Sequence, residues 1–267
     1  MGGNMSLNWI DVTSLSFNVL LLLEREQINW FPGWVPEDEM GVALHASPYL
    51  AWYLKEKCPD IEPWVERVLS RAEETSRPER IREAELQVMN AINDLLVYVV
   101  DPSLYDELPF LKWDSEELSG LIDFKGKDVI DVGAGTGRLA FVAAGEGAHA
   151  VFAVEPVSNL RRYIKRKSQK RGLDNVFPVD GLITEVPFPD DFVDVCMAGH
   201  VFGDAPEEEH AEMVRVTKPG GMVILCPGNN DRDEGWHDDL VEMGFEWSRF
   251  LEPEDGWKRK YWKTVET

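Results

Sequence analysis

The stretch that decides the fold is residues 127–145, which read KDVIDVGAGTGRLAFVAAG. Its first part, Asp128–Val132, is a short run rich in valine and isoleucine, which is typical of a buried strand. Glycines follow at positions 133, 135 and 137, and glycine lets the backbone turn sharply and lets a ligand approach closely. The apolar segment Arg138–Ala144 then has helical character. The stretch therefore predicts a strand, a tight turn and a helix, which is the opening unit of a parallel α/β sheet.

The same alternation of strands and helices continues towards the C-terminus. Further strands are predicted at Ala150–Val154, Asn175–Val179, Val193–Ala198 and Met222–Cys226, with helices at Ser158–Arg171, Pro206–Val216 and Asp233–Met243. This order implies a parallel sheet covered by helices on both faces. The last two predicted strands, Phe245–Leu251 and Lys258–Val265, are separated only by the turn signal Glu254-Asp255-Gly256. They are expected to form an antiparallel hairpin at one edge of the sheet.

The first 120 residues have helical periodicity without this alternation. Helices are predicted at Ser14–Glu26, Pro48–Lys57 and Glu62–Ala72, and from Pro78 to the residue before Asp101. The aromatic, turn-rich segment Trp30–Trp34 is predicted to be a packed loop. The aromatic side chains of this half are expected to lie in the core rather than to form a substrate cage; they are Trp30, Trp34, Tyr49, Trp52 and Trp64.

Two carboxylates are placed where a ligand of the sheet would lie. Asp131 precedes the glycines, and Glu155 follows the second strand, 22 residues after Gly133. Ligands of open parallel sheets bind beyond the carboxyl ends of the strands, and a carboxylate at this distance takes ribose hydroxyls. Asp131 would repel a pyrophosphate and attract a cation. The alternatives are a plain tight turn for the glycines and a helix N-terminal charge for Glu155.

Further motifs follow the glycine stretch in order along residues 125–267. They are Asn175–Gly181, Pro187–Val195, Gly199–Asp204 and Val216–Met222, and they complete a series that begins with Asp131–Gly137 and Glu155. This series resembles the class I S-adenosylmethionine-dependent methyltransferases and is similar to their type 11-like domain. Two departures occur: Val193 separates Phe192 from Asp194, and Asp204 stands where many members have a second histidine.

The resemblance implies a fold and a cofactor. The fold is a Rossmann-like, seven-stranded, mostly parallel sheet with an antiparallel C-terminal hairpin, preceded by an α-helical N-terminal region. Residues 121–267 would be the cofactor-binding methyltransferase domain. The resemblance does not cover residues 1–120, which we predict to be a helical cap that shapes the substrate site. The cofactor would be S-adenosyl-L-methionine, and no metal is expected.

The resemblance also implies a role for each site residue. The loop formed by Gly133, Ala134, Gly135 and Gly137 would lie under the methionine part of the cofactor, with Asp131 near its amino group. Glu155, followed by Pro156, would take the ribose hydroxyls, and Asp180 with Gly181 would frame the adenine. Ala198, Gly199 and His200 would line the floor near the sulfonium. His200 is the best-placed candidate for a catalytic base, with a structural histidine as the alternative.

The amino-acid composition limits the classes of partner that the chain is expected to bind. The chain has 27 Lys and Arg against 49 Asp and Glu, a formal net charge of −22. This disfavours a nucleic-acid partner and electrostatic attachment to an anionic membrane, and it favours a small-molecule methyl acceptor. The seven cations between Arg161 and Arg171 are expected to be a solvated helix face. The three well-separated cysteines and the lack of an apolar run of ~20 residues indicate a cytoplasmic protein.

Three other functions stay open at this point. A non-catalytic S-adenosylmethionine-binding or interaction module would carry the same motifs, because they report binding rather than chemistry. An NAD(P)-dependent oxidoreductase is less favoured, because Arg138 stands where its fingerprint requires a glycine. A macromolecular methyltransferase would act on protein or nucleic acid. The acceptor and the oligomeric state are not encoded in any motif of the chain.

Overall fold

The structure, a computed structural model, describes residues 9–228, 230–231, 234–252 and 256–266. The chain divides into two compact units, Met1–Tyr105 and Asp106–Thr267. The second unit begins ahead of the boundary at 120/121 that the sequence suggests. The assignment of residues 1–120 as a substrate cap stays a prediction.

The first unit is built from short helices. Its helices are α1 (Arg25–Asn29), α2 (Phe31–Trp34), α3 (Glu37–Ala46), α4 (Pro48–Lys57), α5 (Glu62–Arg71), α6 (Pro78–Ala91) and α7 (Asn93–Val100). The predicted helix Pro48–Lys57 is confirmed, and α5 ends one residue before the predicted end.

Two of the predicted helices in this unit are wrong in extent. Residues 14–26 do not form one helix: a 3-10 turn covers Phe17–Leu22, and the extended backbone at Leu23 and Glu24 separates it from α1. The helix from Pro78 breaks at Ile92, and α7 starts anew at Asn93. The buried Asn93 carboxamide bonds the backbone of Trp9 and Ile10, which explains a polar residue at this position.

The expectation that the aromatic residues of this unit are core is wrong for four of the five. Trp64 is buried, and its Nε1 donates a hydrogen bond to Glu37 Oε1 at 2.9 Å. Trp30 and Trp34 stack on each other with ring centroids 5.7 Å apart and remain exposed. Tyr49 and Trp52 are also exposed, because α4 buries its other face. Within the predicted loop Trp30–Trp34, Phe31 is buried, and Pro32 and Gly33 have non-helical backbone.

The second unit contains one sheet and the helices that cover it. Its strands are β1 (Asp128–Val132), β2 (Ala150–Val154), β3 (Val176–Val179), β4 (Val193–Ala198), β5 (Thr217–Leu225), β6 (Glu246–Glu252) and β7 (Gly256–Thr264). The helices are α8 (Pro102–Asp106), which begins in the first unit, α9 (Glu116–Ser119), α10 (Arg138–Gly145), α11 (Ser158–Arg171), α12 (Pro206–Val216) and α13 (Glu234–Glu242).

The sheet has the predicted topology. Its strand order is β3-β2-β1-β4-β5-β7-β6, with β1 to β5 parallel and β7 antiparallel to both β5 and β6. The α/β fold with a C-terminal hairpin is therefore confirmed. The turn signal at 254–255 lies outside the described residues. Strand β5 begins at Thr217, earlier than predicted, and the turn 218–221 bulges out where the register with β4 shifts between Val193 and Val195.

The order of the strands indicates where a ligand would bind to the sheet. Side chains of β1 pack alternately into two clusters, Val129 among those with α10 and Ile130 among those with α12. Both faces are therefore buried, which explains why the central strands carry apolar side chains on both faces. The chain leaves β1 in one direction for β2 and later returns on its other side as β4. Such a point of reversal opens a crevice beyond the carboxyl ends of β1 and β4, where α/β proteins bind ligands.

Candidate functional site

The glycine loop joins β1 to α10 at this crevice. Gly133, Gly135 and Gly137 all have positive φ, between 55° and 84°. A Cβ added at Gly133 would lie 2.7 Å from the methyl carbons of Val201, and one at Gly137 would lie 2.8 Å from the Phe141 ring. Both the backbone conformation and the space therefore require glycine. The Ala134 N–H donates to the Val154 carbonyl at 3.1 Å, which joins the loop to the end of β2.

Asp131 is buried at the centre of the sheet beneath this loop. Its Oδ2 accepts a hydrogen bond from the Ala140 N–H at 2.8 Å, in the first turn of α10. Burial, together with the nearby Glu155 charge, raises the pKa of this carboxyl to about 7. Asp131 thus connects β1 to α10, and it is a carboxyl group that a neighbouring cation would help to ionise.

Glu155 follows β2 and is buried against the glycine loop. Its Oε2 accepts a hydrogen bond from the Gly135 N–H, and its Oε1 accepts one from the Val157 N–H, both at 2.9 Å. Burial raises the pKa of the Glu155 carboxyl to about 7, against the opposing effect of these two hydrogen bonds. The structure therefore brings together the glycines and the carboxylate that the sequence paired. Each carboxylate oxygen retains acceptor capacity for a further donor, such as a hydroxyl.

Arg161, one turn into α11, organises the far side of the site. Its Nη1 donates to the carbonyls of Glu155 and Pro156 and to Asp180 Oδ1, at 2.6, 2.7 and 2.8 Å. The Asp180 side chain is otherwise exposed, after β3. A Cβ at Gly181 would lie 2.6 Å from Pro187 and 2.9 Å from Val154, so the chain beside Asp180 is closely packed. The sequence analysis did not predict this role of Arg161, although its place six residues after Glu155, in the first turn of α11, is a usable signal.

The end of β4 forms the opposite wall of the crevice. Ala198 is buried, and a Cβ at Gly199 would lie 3.1 Å from both the Cys226 carbonyl oxygen and a Leu139 methyl. His200 has φ +59°, is exposed, and its ring contacts the Phe110 ring edge to face at 5.4 Å. The His200 N–H donates to the Pro227 carbonyl at 3.2 Å. The histidine therefore stands at the rim of the crevice, with its position fixed through the backbone.

The expectation that the basic cluster is a solvated face is wrong for two of its seven cations. Arg161 bonds the site as described, and Lys167 Nζ donates to Asp106 Oδ1 at 2.6 Å. The other five cations are exposed along α11; they are Arg162, Lys165, Arg166, Lys170 and Arg171, whose guanidinium lies over the Phe141 ring at 4.6 Å. The buried partners explain why a helix rich in cations packs closely on the sheet.

Arg138 explains the missing glycine of the dinucleotide fingerprint. Its Nε donates to the Leu111 carbonyl at 3.0 Å, its Nη2 donates to the Trp113 carbonyl at 2.7 Å, and its guanidinium lies over the Trp113 ring. The side chain therefore holds the chain segment that precedes β1. Burial lowers the pKa of the Arg138 guanidinium.

The residues present fit S-adenosylmethionine on grounds of chemistry. The hydroxyl oxygen of Thr136, in the loop, is buried and has no hydrogen-bond partner among the described residues. Two buried carboxyl groups with raised pKa values lie beside the same loop. A cationic ligand rich in hydroxyl and amino donors would satisfy these acceptors, whereas a pyrophosphate would not.

No cluster of metal-ligating side chains occurs in the part of the chain that the structure describes. Within that part, every helix is too short or too polar to cross a lipid bilayer.

Comparison with known proteins shows which family model and which relatives the residues of the second unit resemble. A family model described as a methyltransferase domain matches residues 130–225. A demethylmenaquinone methyltransferase of Geobacillus kaustophilus is 33% identical over 120 residues, covering 43% of this chain and 50% of the relative. A Mycobacterium marinum protein named uncharacterized methyltransferase is 36% identical over 104 residues, covering 38% of each chain. The chain thus spans half or less of the length of these curated relatives.

A solved structure described as a SAM-dependent methyltransferase from Aquifex aeolicus superposes with a TM-score of 0.49 at 23% identity, covering 62% of this chain and 98% of the other. The match to the family model runs from β1 to the end of β5 and so includes the glycine loop, Glu155, Asp180 and the end of β4. Residues 130–225 of this chain are therefore similar in sequence to the methyltransferase domain that this family model describes.

Proposed function

We propose that this chain is an S-adenosylmethionine-dependent methyltransferase that acts on a small-molecule acceptor. The observation that carries the proposal is the hydrogen bond from the Gly135 N–H to the buried Glu155 carboxylate, inside a methyltransferase domain. It joins a loop that only glycine can form to a carboxylate suited to ribose hydroxyls. When bound, the cofactor supplies a methyl group on a sulfonium, and the protein supplies alignment.

Each site residue has a proposed task. Asp131 would lie near the positively charged end of the cofactor, whose charge would favour the ionised carboxylate, and Glu155 would accept hydrogen bonds from the ribose. Arg161 holds Asp180 and the backbone at Pro156 in place for the adenine. Ala198 and Gly199 form the floor, where small residues leave room for the reacting methyl group. His200 accepts a proton from the acceptor if the acceptor arrives protonated.

The acceptor is proposed to be a small organic molecule. The net charge of −22 supports this, because it disfavours polyanionic acceptors. Two relatives of the domain are named demethylmenaquinone methyltransferase, which favours a small organic acceptor as well. A cytoplasmic location is part of the same proposal.

Residues 1–120 are proposed to shape the acceptor site. Their exposed aromatic side chains, such as Tyr49 and Trp52, are available for an apolar acceptor. A Trp52→Ala variant should raise KM for the acceptor and leave the affinity for the cofactor unchanged. An unchanged KM in this variant and in Tyr49→Ala would argue against the cap role.

The proposal is tested by turnover. Purified protein with S-adenosylmethionine is incubated with a panel of phenols, hydroxyquinones, amines and thiols, and release of S-adenosylhomocysteine is measured. Acceptor-dependent release supports the proposal. Cofactor binding without turnover on any acceptor would favour a non-catalytic binding module, and binding of NAD(P) in place of S-adenosylmethionine would favour an oxidoreductase.

A further inference from the structure

The second unit begins with residues 106–113, which are held at both ends by hydrogen bonds from the glycine loop region and its neighbours. We call this segment the strap. Between its ends the strap has exposed residues at Glu107, Pro109 and Lys112, and the others are half-buried. Because no residue between Asp106 and Trp113 is fully buried, the polar contacts at the two ends contribute to holding the strap in place.

The first end is held at Asp106 by α11. Lys167 Nζ donates to Asp106 Oδ1 at 2.6 Å and also to the Thr136 carbonyl of the glycine loop at 3.1 Å. The Tyr163 hydroxyl donates to Asp106 Oδ2 at 3.1 Å. Only 13% of the Lys167 side chain is exposed, and burial lowers the pKa of its ammonium group while Asp106 opposes that shift. One buried cation thus joins the strap and the glycine loop.

The second end is held by Arg138, the residue directly after the loop. It donates to the carbonyls of Leu111 and Trp113, and its guanidinium lies 4.5 Å from the centre of the Trp113 ring. Between the two fastenings, the Phe110 ring contacts His200 at the end of β4. The strap therefore connects the glycine loop at one wall of the crevice with the end of β4 at the other.

We propose that the strap closes the cofactor site and that Lys167 and Arg138 are positioning residues that couple its closure to the glycine loop. The inference rests on the proposed function, because the site it closes is the proposed cofactor site. The cofactor exchanges only when the ion pair of Lys167 with Asp106 opens. A partly buried, charge-assisted hydrogen bond is among the stronger single contacts in proteins, so it favours the closed strap and lowers the fraction of molecules from which the cofactor can leave.

The test measures the dissociation rate of S-adenosylhomocysteine from the full chain. Stopped-flow tryptophan fluorescence reports displacement by excess S-adenosylmethionine in the wild type and in the variants Lys167→Met, Asp106→Asn and the double variant. The matched control is Lys165→Met, which removes an exposed cation from the same helix. We expect about tenfold faster dissociation in Lys167→Met, the effect of one charged hydrogen bond, and less than twofold in the control. The double variant should be no faster than the faster single variant.

Hydrogen exchange in the ligand-free protein separates this role from simple support of the fold. Amides of residues 106–113 should exchange faster in Lys167→Met than in Lys165→Met, while those of β1 remain protected. A lower melting temperature with an unchanged dissociation rate would overturn the inference, as would effects of Lys167→Met and Asp106→Asn that simply add. If Lys167→Met does not fold, Tyr163→Phe and Asp106→Asn carry the same test. A wild type that does not bind S-adenosylhomocysteine contradicts the proposed function, whereas binding with equal dissociation rates contradicts only the strap.

Discussion

The carboxylate of Glu155 and the backbone N–H of Gly135 lie 2.9 Å apart, in a hydrogen bond that joins the end of β2 to the turn between β1 and α10. The two residues are twenty positions apart and follow the ends of the neighbouring parallel strands β1 and β2. Their contact makes the loop and the carboxylate a single unit. Changes in either one are therefore expected to alter ligand binding more than they alter the rest of the sheet.

Substitution of Gly133 should lower the stability of the protein through steric overlap, and Gly172 provides a matched control that lacks this overlap. Gly133→Ala places a Cβ 2.7 Å from Val201 at φ +65°, whereas Gly172→Ala has nearly the same φ, +67°, and no atom within 4 Å. The control therefore carries only the backbone penalty, of about 1 kcal/mol. We expect urea denaturation to show a loss for Gly133→Ala that exceeds the loss for Gly172→Ala by 1 kcal/mol or more. Equal losses would show that the loop has room for a side chain.

The two buried carboxyl groups predict how stability depends on pH. The pKa values of Asp131 and Glu155 in the folded protein are about 7, above those of the unfolded chain. Between about pH 4 and pH 7 the folded state therefore binds more protons than the unfolded state, and stability falls as the pH rises through this range. In Asp131→Asn the free energy of unfolding of the ligand-free protein should fall less between pH 5 and pH 8 than in the wild type. Parallel curves would contradict ionisation of Asp131 in that range.

Loss of Arg161 should weaken cofactor binding and leave the fold largely intact. Arg161→Met removes three hydrogen bonds that hold Pro156, Asp180 and the Glu155 backbone. We expect the Kd for S-adenosylhomocysteine to rise roughly tenfold, the effect of about one charged hydrogen bond. Arg162→Met, which changes an exposed neighbour, should leave the Kd within twofold. Similar values for the two variants would exclude an organising role for Arg161.

The local pattern of the sequence predicts the sheet well. The bounds of β1, β2 and β4 agree with the predicted ones, because each is a short apolar run ended by glycine or a charged residue. The pairing of Glu155 with the glycines follows from the same pattern, since parallel neighbouring strands end at the same edge. These features can be predicted because they depend on the local sequence of each strand and on the general geometry of parallel sheets.

The features that the sequence did not predict depend on contacts between distant segments. Helix α3 has five consecutive buried residues, Met40–Leu44, so it lacks a one-sided pattern. A Cβ at Gly41 would lie 2.4 Å from the Val68 carbonyl oxygen, which shows how closely α3 and α5 pack. Lys167 lies in α11, a helix whose many cations are typical of a solvated surface. Its side chain is nevertheless largely buried, because it pairs with Asp106, 61 residues earlier in the chain. No local rule connects these partners.

The central claim is that the glycine loop and Glu155 form one S-adenosylmethionine site. Isothermal titration of S-adenosylmethionine into the wild type, Glu155→Ala and the exposed control Glu146→Ala tests it most directly. We predict one site per chain, an affinity lowered at least tenfold in Glu155→Ala, and an affinity within twofold of the wild type in Glu146→Ala. Absence of binding to the wild type, or equal affinity in Glu155→Ala and the wild type, would contradict it.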